Sequence, residues 1–172
     1  LWNNVFSCDM DFYRHHLWNR MEDFSTLILG ETGTGKGAAA KAIGSSGFIP
    51  FDPDRKRFRE SFTAIFVSLN LSQFPENLIE SELFGHRKGA FTGAVEAHEG
   101  ILGQCSAHGS IFLDEIGEVS EPVQIKLLNV LEERTFTPVG SHEIRRFQGR
   151  IIAATNRSLE GIQSGNVLRD DF

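Results

Sequence analysis

Residues 26–37 read TLILGETGTGKG, and this stretch decides the fold. Residues 27–29 are a short apolar run that is typical of a buried strand. The loop that follows has the pattern G-x-x-x-x-G-K over residues 30–36, and the alanine-rich residues 38–43 predict a helix. Strand, glycine-rich loop and helix in this order predict a phosphate-binding loop. The glycines let consecutive backbone N–H groups face one anion at the N-terminus of the helix.

The last two residues of this loop, Lys36 and Gly37, agree only in part with the usual phosphate-loop motif. Lys36 supplies a full positive charge for the outer phosphates. Gly37 stands where the usual motif has Ser or Thr, whose hydroxyl binds magnesium. We therefore expect a nucleotide site whose metal coordination differs from the usual one. The residues expected to bind the nucleotide in this loop are Gly30, Glu31, Thr32, Gly33, Thr34, Gly35, Lys36 and Gly37.

Composition predicts a single globular domain that is not a general nucleic-acid binder. The chain has 172 residues, 40% of them hydrophobic and 23% charged, which is enough to bury a substantial core. A net charge of -6 disfavours general nucleic-acid binding. Only two cysteines occur, Cys8 and Cys105, and their wide separation predicts buried or free thiols in a reducing cytoplasm. We expect no membrane partner, because no apolar stretch is long enough to span a bilayer. The first residues show no signal-peptide pattern and no Met, which suggests an excised fragment.

Three further predicted strands share a polar end: residues 63–69 lead to Asn70, residues 110–113 to Asp114 and Glu115, and residues 149–155 to Asn156. In open α/β sheets such strand ends face the ligand crevice. Asp114 is expected to hold magnesium directly or through water, and Glu115 to orient a water for attack on the terminal phosphate. Asn156 is expected to touch that phosphate or the water. A purely structural role for the two acids is disfavoured, because burying a charge without a partner or metal is costly.

The remaining segments are predicted in less detail. We expect a helix over 5–23, which either packs in the core or also borders the base of a nucleotide. Further helices are expected over 75–84, ending at Gly85, and over 122–134 with Ser120 as its cap. Residues 136–150 are expected to form a hairpin or extended loop that turns at 140–141. Residues 48–62, with their basic cluster, are expected to form a loop or a short helix.

The segment from His86 to Ala94 has no periodicity of any kind. Two glycines flank the pair Phe91-Thr92, in a segment too small to form its own core. Such a loop either tucks Phe91 into the domain or presents it outward. Physical reasoning alone favours tucking, because exposed aromatic side chains are costly unless they bind something.

The hexapeptide GAFTGA at 89–94, preceded by ELFGH at 82–86, resembles the signature of the bacterial sigma-54 activators, the enhancer-binding AAA+ ATPases. The resemblance extends through GETGTGK at 30–36, FLDEIGE at 112–118 and AATNR at 153–157. It implies an α/β fold, the three-layer αβα P-loop NTPase with an AAA+ core and a central, mostly parallel sheet. It also implies that residues 1–172 form one AAA+ domain.

The resemblance implies an ATPase that uses ATP and Mg²⁺, assembles as a hexameric or heptameric ring, and remodels the closed promoter complex of sigma-54 RNA polymerase. By position, Lys36 and the loop glycines would bind phosphates, Asp114 magnesium, and Glu115 the attacking water. Asn156 matches the sensor of the terminal phosphate, and Asn70 matches the residue that holds the catalytic glutamate. Arg169 falls where the family places an arginine that reaches into the neighbouring subunit's site.

The same resemblance assigns sigma-54 contact to the whole hexapeptide: Gly89, Ala90, Phe91, Thr92, Gly93 and Ala94. It reverses the physical expectation for Phe91, since exposure of this ring then has a partner. The hairpin around 140–146 matches a second mobile loop that supports the first. Relatives usually carry Glu after the loop lysine, so a missing hydroxyl at Gly37 is typical. Magnesium is then expected to rely on Thr34, Asp114, phosphate oxygens and water.

Segment 48–62 is longer than the usual connection in the family. Beyond Phe172 the family continues with a second arginine, a helical lid and commonly a DNA-binding helix-turn-helix, through which promoter or enhancer DNA would be contacted. We therefore expect weak or no turnover from this piece alone. Two alternatives remain: a module that binds nucleotide and sigma-54 with little turnover, and an AAA+ remodeller of another client.

Overall fold

The computed structural model describes His15 and residues 25–156. Its centre is a sheet of four parallel strands, β1 (Thr26–Leu29), β4 (Phe66–Asn70), β5 (Ser110–Asp114) and β8 (Arg150–Thr155). The strands lie in the order β1-β8-β5-β4. The predicted helix over 5–23, apart from His15, lies outside the described residues, as do Arg157 and Arg169.

Helices cover both faces of this sheet: α1 (Lys36–Gly44), α2 (Glu76–Phe84), α3 (Ile101–Gln104) and α4 (Glu121–Glu133). Alternation along β5 and β8 divides the core in two, because successive side chains of a strand point to opposite faces. Phe112, Ile152 and Ala154 pack with residues of α1. Ile111, Leu113, Ile151 and Ala153 pack with residues of α2 and α4. The arrangement confirms the predicted αβα layers.

The central strands are fully covered on both sides. All six residues of β8 and four of the five residues of β5 are buried. A strand buried on both faces is nearly continuously apolar, which explains why these two were recognisable in the sequence. Their parallel register pairs Ser110 with Arg150 and Leu113 with Ala153. The four carboxyl ends therefore lie along one edge.

Segment 48–62 differs from its prediction, because it forms neither a plain loop nor a short helix. It contains an antiparallel hairpin of β2 (Phe51–Asp52) and β3 (Arg57–Phe58). The turn is held by Asp52, whose Oδ1 accepts hydrogen bonds from the backbone N–H groups of Asp54 and Arg55. Asp and Asn favour such turns because the short side chain reaches the backbone two residues on. The basic cluster, Arg55, Lys56, Arg57 and Arg59, is exposed.

The second predicted strand is shorter than expected. β4 begins at Phe66, because residues 62–64 form a turn. Helix α2 follows its prediction closely and ends at Gly85, whose φ of 77° is favourable only for glycine.

The predicted role of Ser120 at the start of α4 is also corrected. Its side chain makes no capping hydrogen bond. Its carbonyl oxygen instead accepts hydrogen bonds from the N–H groups of Val123 and Gln124. Position at a helix start therefore does not by itself make a hydroxyl a cap.

The predicted hairpin after α4 is present. It pairs β6 (Thr135–Phe136) with β7 (Arg145–Arg146) and turns through Gly140, whose φ is 73°. Within residues 25–156, no helix is long and apolar enough to cross a membrane.

Candidate nucleotide site and client loop

The polar ends of the four strands lie side by side, as predicted. Asn70 and Asp114 are register partners on β4 and β5. The N–H of Gly30 donates to the carbonyl of Thr155 at 3.3 Å, which places the phosphate loop beside the end of β8. Asn156 follows β8 and is exposed. The structure therefore brings the phosphate loop, Asn70, Asp114 and Asn156 to one edge of the sheet.

The phosphate loop is closed by its own hydrogen bonds. Lys36 is 8% exposed, and its Nζ donates to the carbonyl oxygens of Gly30 at 2.8 Å and Glu31 at 3.2 Å. The hydroxyl of Thr34 donates to the carbonyl of Glu31 at 2.8 Å. Gly35, with a φ of 87°, immediately precedes α1. The two bonds from Nζ hold the ammonium group of Lys36 at the start of the phosphate loop, where it could contact an anion bound at the N-terminus of α1.

Gly37 contributes no side chain to this site and is exposed in the first turn of α1. A Cβ built there would meet only Phe112 Cε1, at an ordinary contact distance of 3.9 Å. Space therefore does not force glycine at this position.

The two acids at the end of β5 differ in backbone conformation. Asp114 ends the strand, and its Oδ1 accepts a hydrogen bond from the N–H of Glu115 at 3.1 Å. Glu115 has a φ of 58° and a ψ of 48°, the left-handed conformation that non-glycine residues rarely adopt. Such strained residues cluster at functional sites. The left-handed conformation of Glu115 turns the chain from the end of β5 directly into the 3₁₀ helix Ile116–Glu118.

The side chain of Asn70 organises the chain that leaves β4. Its Oδ1 accepts hydrogen bonds from the N–H of Ser72 at 3.0 Å and the hydroxyl of Ser72 at 2.7 Å. It thereby caps the 3₁₀ helix Leu71–Gln73, which leads into α2. The predicted contact of Asn70 with Glu115 is not among its hydrogen bonds. That role stays a prediction.

An open cavity of about 510 Å³ lies next to the strand ends. It is lined by Gly37 on α1, Asn70 on β4 and Asp114 on β5, together with Phe62 and Thr63 from the turn before β4. Gly37 in the first turn of α1 and Asp114, the predicted magnesium ligand, therefore line the same cavity.

The GAFTGA loop presents its central pair to solvent. Phe91 is 37% exposed, and Thr92 is exposed as well. Ala94 is buried, and its carbonyl accepts a hydrogen bond from the N–H of Gly89 at 2.8 Å, which closes the loop. The exposure agrees with the resemblance and not with the expectation that Phe91 tucks inward. The ring is nevertheless partly covered, because it makes an edge-to-face contact with the ring of His86.

The hairpin β6–β7 lies directly against this loop. A Cβ added to Gly140 would come within 2.7 Å of the Cβ of Ala90, so only glycine allows this approach. The N–H of Arg87 donates to the carbonyl of Val139 at 3.1 Å. The two predicted loops are thus in contact.

Sequence reasoning missed two residues beneath the loop, Ser81 and His86. They lie inside the segment 75–86 and are hydrogen-bonded to each other. The only signal was a histidine next to the helix-ending Gly85, and a single histidine at a helix end does not by itself indicate what its ring contacts.

The strand order, the phosphate loop and the acids at the end of β5 define the fold of a P-loop NTPase of the AAA+ class. The sequence model of the Sigma-54 interaction domain matches residues 12–172, and the chain belongs to that family. Its members are AAA+ ATPase domains of enhancer-binding transcriptional regulators. The resemblance noted in the sequence is thereby confirmed.

Two relatives illustrate the similarity. The Nif-specific regulatory protein of Bradyrhizobium diazoefficiens is 46% identical over 148 residues, which cover 86% of this chain and 23% of that protein. The transcriptional regulatory protein GlrR of Escherichia coli (strain K12) is 42% identical over 150 residues, which cover 87% of this chain and 31% of that protein. The chain spans less than a third of the length of either relative.

Among solved structures, the fold is similar to NtrX from Brucella abortus. The TM-score is 0.69 at 25% identity, over 98% of this chain and 36% of NtrX. Structures of NtrX in complex with ADP and with ATP match with TM-scores of 0.68 and 0.67. A protein of this fold therefore holds adenine nucleotides.

Proposed function

We propose that this chain is the ATP-hydrolysing domain of a transcriptional activator that remodels sigma-54 RNA polymerase through the loop 89–94. The observation that carries the proposal is the single sheet edge along which the phosphate loop with Lys36, the end of β5 with Asp114 and the end of β8 with Asn156 lie. A second feature supports it, the exposed pair Phe91-Thr92 at the tip of a closed loop.

Each residue of the edge has a chemical role in the proposal. Lys36 and the backbone N–H groups of residues 30–37 bind the phosphates, and Asn156 reads the terminal one. Glu115 orients the attacking water, a role that positions the nucleophile for an in-line displacement. Asn70 holds Glu115 through its amide nitrogen until the nucleotide state changes.

The residues present fit a magnesium ion. Mg²⁺ prefers hard oxygen ligands and usually keeps several waters beside one or two carboxylates and substrate phosphates. Asp114 supplies a half-buried carboxylate, and the hydroxyl oxygen of Thr34 lies in the phosphate loop. When bound, the ion neutralises charge on the phosphates. Gly37 adds nothing to this set.

A complete active site would need a second subunit. We propose that the chain works in a hexameric or heptameric ring, in which Arg169 of one subunit stabilises the charge that develops in the neighbouring site. Promoter or enhancer DNA would be contacted by other parts of the full-length protein, and the expected compartment is the cytoplasm. A second candidate is a nucleotide-dependent sigma-54-binding module with little turnover, which the missing hydroxyl at Gly37 favours.

Nucleotide binding can be tested on this chain with a fluorescent ATP analogue. Lys36→Ala is expected to weaken binding by at least about tenfold, because charge-assisted hydrogen bonds contribute about 1.5–3 kcal/mol. Lys126→Ala is the matched control, since Lys126 forms an exposed ion pair with Glu80 that joins α4 to α2. Equal affinities of parent and Lys36→Ala would contradict the nucleotide site.

Two further measurements are needed. Phosphate release distinguishes the ATPase from the binding module, and capture of sigma-54 tests whether sigma-54 is the partner. Phosphate release by the full-length protein supports the ATPase, with Glu115→Gln expected to bind ATP but not turn it over. Binding without any turnover in the parent supports the module. For the client, sigma-54 is captured in the presence of ADP and aluminium fluoride. If Thr92→Ala captures sigma-54 as well as the parent does, the assignment of the loop is wrong.

A further inference from the structure

His86 lies where three segments meet. It follows Gly85 at the end of α2, and its backbone pairs in both directions with His98, at 2.9 Å for each hydrogen bond. It also forms a parallel bridge with Val139 of the hairpin β6–β7. The residue thus joins α2, the segment that returns from the GAFTGA loop, and the hairpin that supports this loop.

The imidazole ring bonds to two of these segments and packs against the loop tip. Its Nδ1 lies 2.6 Å from the hydroxyl oxygen of Ser81 on α2. Its Nε2 lies 3.1 Å from the carbonyl oxygen of Glu96. The ring centroid is 4.9 Å from that of Phe91, at an interplanar angle of 61°, an edge-to-face contact. One side chain therefore contacts the helix, the tip of the loop and the segment that returns from it.

These partners determine the tautomer of the neutral ring. A carbonyl oxygen only accepts hydrogen bonds, so the Nε2 that faces Glu96 must carry the proton. Nδ1 is then unprotonated and accepts the proton of the Ser81 hydroxyl. Both bonds are satisfied at once by this one tautomer.

Ser81 is a firm anchor for the ring. The residue is 4% exposed, and it lies in the last turn of a helix whose Leu83 and Phe84 belong to the core. Gly89 and Gly93 flank the tip with φ values of 80° and 100°, a region that favours glycine. Because His86 contacts Phe91 and is hydrogen-bonded to Ser81 on α2, it limits how far the tip of the loop can rotate.

We infer that His86 is a positioning residue that clamps the Phe91 tip to the last turn of α2. Through this contact, a movement of α2 would move the tip of the loop. α2 begins six residues after Asn70, which ends β4 at the sheet edge that also carries Asp114. The inference concerns loop geometry; only its consequence for sigma-54 capture rests on the proposed function. We assign His86 no catalytic role, because it follows the C-terminal end of α2, whereas Asn70 and Asp114 lie at strand ends, Asn70 before this helix begins and Asp114 beside Asn70.

Hydrogen–deuterium exchange of the whole chain tests the clamp directly. In His86→Ala, exchange of residues 87–97 is expected to rise by about tenfold, as for the loss of one or two hydrogen bonds, while exchange of α4 stays unchanged. His86→Gln should recover part of the protection, because its amide N–H can reach Glu96. His108→Ala, a histidine in the turn before β5, is the matched control. Unchanged exchange of residues 87–97 in His86→Ala would overturn the clamp.

A second measurement needs no change at His86. Nitrogen-15 spectra of the parent should show His86 in the single Nε2–H tautomer, and Ser81→Ala should produce a mixture of tautomers. A mixture in the parent would overturn the inference even if His86→Ala failed to fold.

Sigma-54 capture then separates the clamp from the proposed function. We expect His86→Ala to capture sigma-54 about tenfold more weakly than the parent, with unchanged affinity for the ATP analogue. If the parent itself captures no sigma-54, the proposed function fails, while the exchange and tautomer results still decide the clamp.

Discussion

Among the residues that the structure describes, Cys105 is the one whose ionisation couples most clearly to folding. It follows α3, and Gly149 packs so closely on its sulfur that a Cβ there would clash. Burial, with a smaller contribution from the charge of Glu60, raises the pKa of the Cys105 thiol from 9.0 to about 12. The folded state therefore favours the protonated, neutral thiol of Cys105 over the thiolate.

This raised pKa predicts a loss of stability in alkali. Between pH 9 and pH 12 the unfolded chain releases the Cys105 proton while the folded chain keeps it. The free energy of unfolding should therefore fall by at most about 1.4 kcal/mol for each pH unit between pH 9 and pH 12. Urea unfolding between pH 8 and pH 10.5 measures the slope in a Cys8→Ser background. Cys105→Ala should remove this part of the slope, and an unchanged slope would contradict the prediction.

At the same scale, residue type was predictable and residue conformation was not. Lys36, Asp114 and Asn156 were expected at the nucleotide edge, because their chemistry and their position after apolar runs are both visible in the sequence. The left-handed conformation of Glu115 was not, since nothing in Asp-Glu-Ile distinguishes it from ordinary strand residues. The orientation of Phe91 needed the family resemblance, because burial and exposure of one aromatic ring depend on a partner.

Helix α1 carries two glycines whose replacement should act in opposite directions. At Gly44, a Cβ would lie 2.8 Å from Phe66 Cε2 and 3.1 Å from the Cβ of Ser110, so the helix approaches the sheet closely there. Gly44→Ala is expected to lower the free energy of unfolding by about 1–3 kcal/mol through overpacking.

Gly37→Ala is the matched change at the other end of the same helix. Its Cβ would make only an ordinary contact, so the better helix propensity of alanine should raise stability by about 0.5 kcal/mol. Thermal and urea unfolding of the two variants measure both effects. Similar shifts of the same sign would show that α1 does not pack on β4 and β5 as described.

Elements with a strong period were predictable, and short elements held by tertiary contacts were not. α2 and α4 carry an apolar face over nine and thirteen residues, which fixes type and approximate bounds. The hairpin β2–β3 has only two residues in each strand and depends on the side chain of Asp52 for its turn. The four-residue α3 is too short for any periodic signal.

For the whole molecule, the parallel sheet was predictable and its strand order was not. Four apolar runs with polar ends, separated by helices, indicate parallel strands whose ends share an edge. The placement of β8 between β1 and β5 pairs residues more than a hundred positions apart along the chain, such as Thr26 and Ile152. No local pattern encodes such a pairing. The same pairing places Asn156 next to the phosphate loop.

This topology also connects the sheet edge with Asn70 and Asp114 to the loop 89–94 through one continuous path. Asn70 ends β4 beside Asp114, caps the 3₁₀ helix 71–73 through Ser72, and thereby sets the start of α2. At its other end, α2 holds His86 through Ser81. A ligand shifts such a path only if its contacts differ between two states.

We therefore expect exchange of residues 87–97 to differ between the ATP-bound and ADP-bound chain, and Asn70→Ala to abolish the difference. Its affinity for the ATP analogue should change less than about threefold, because Asn70 is expected to read the nucleotide state without supplying binding energy. Asn77→Ala, on the exposed side of α2, is the matched control and should keep the difference. Exchange and analogue binding on the same preparations measure both quantities. A nucleotide-dependent difference that survives in Asn70→Ala would mean that the signal reaches Phe91 by another route, through α4 or the hairpin β6–β7.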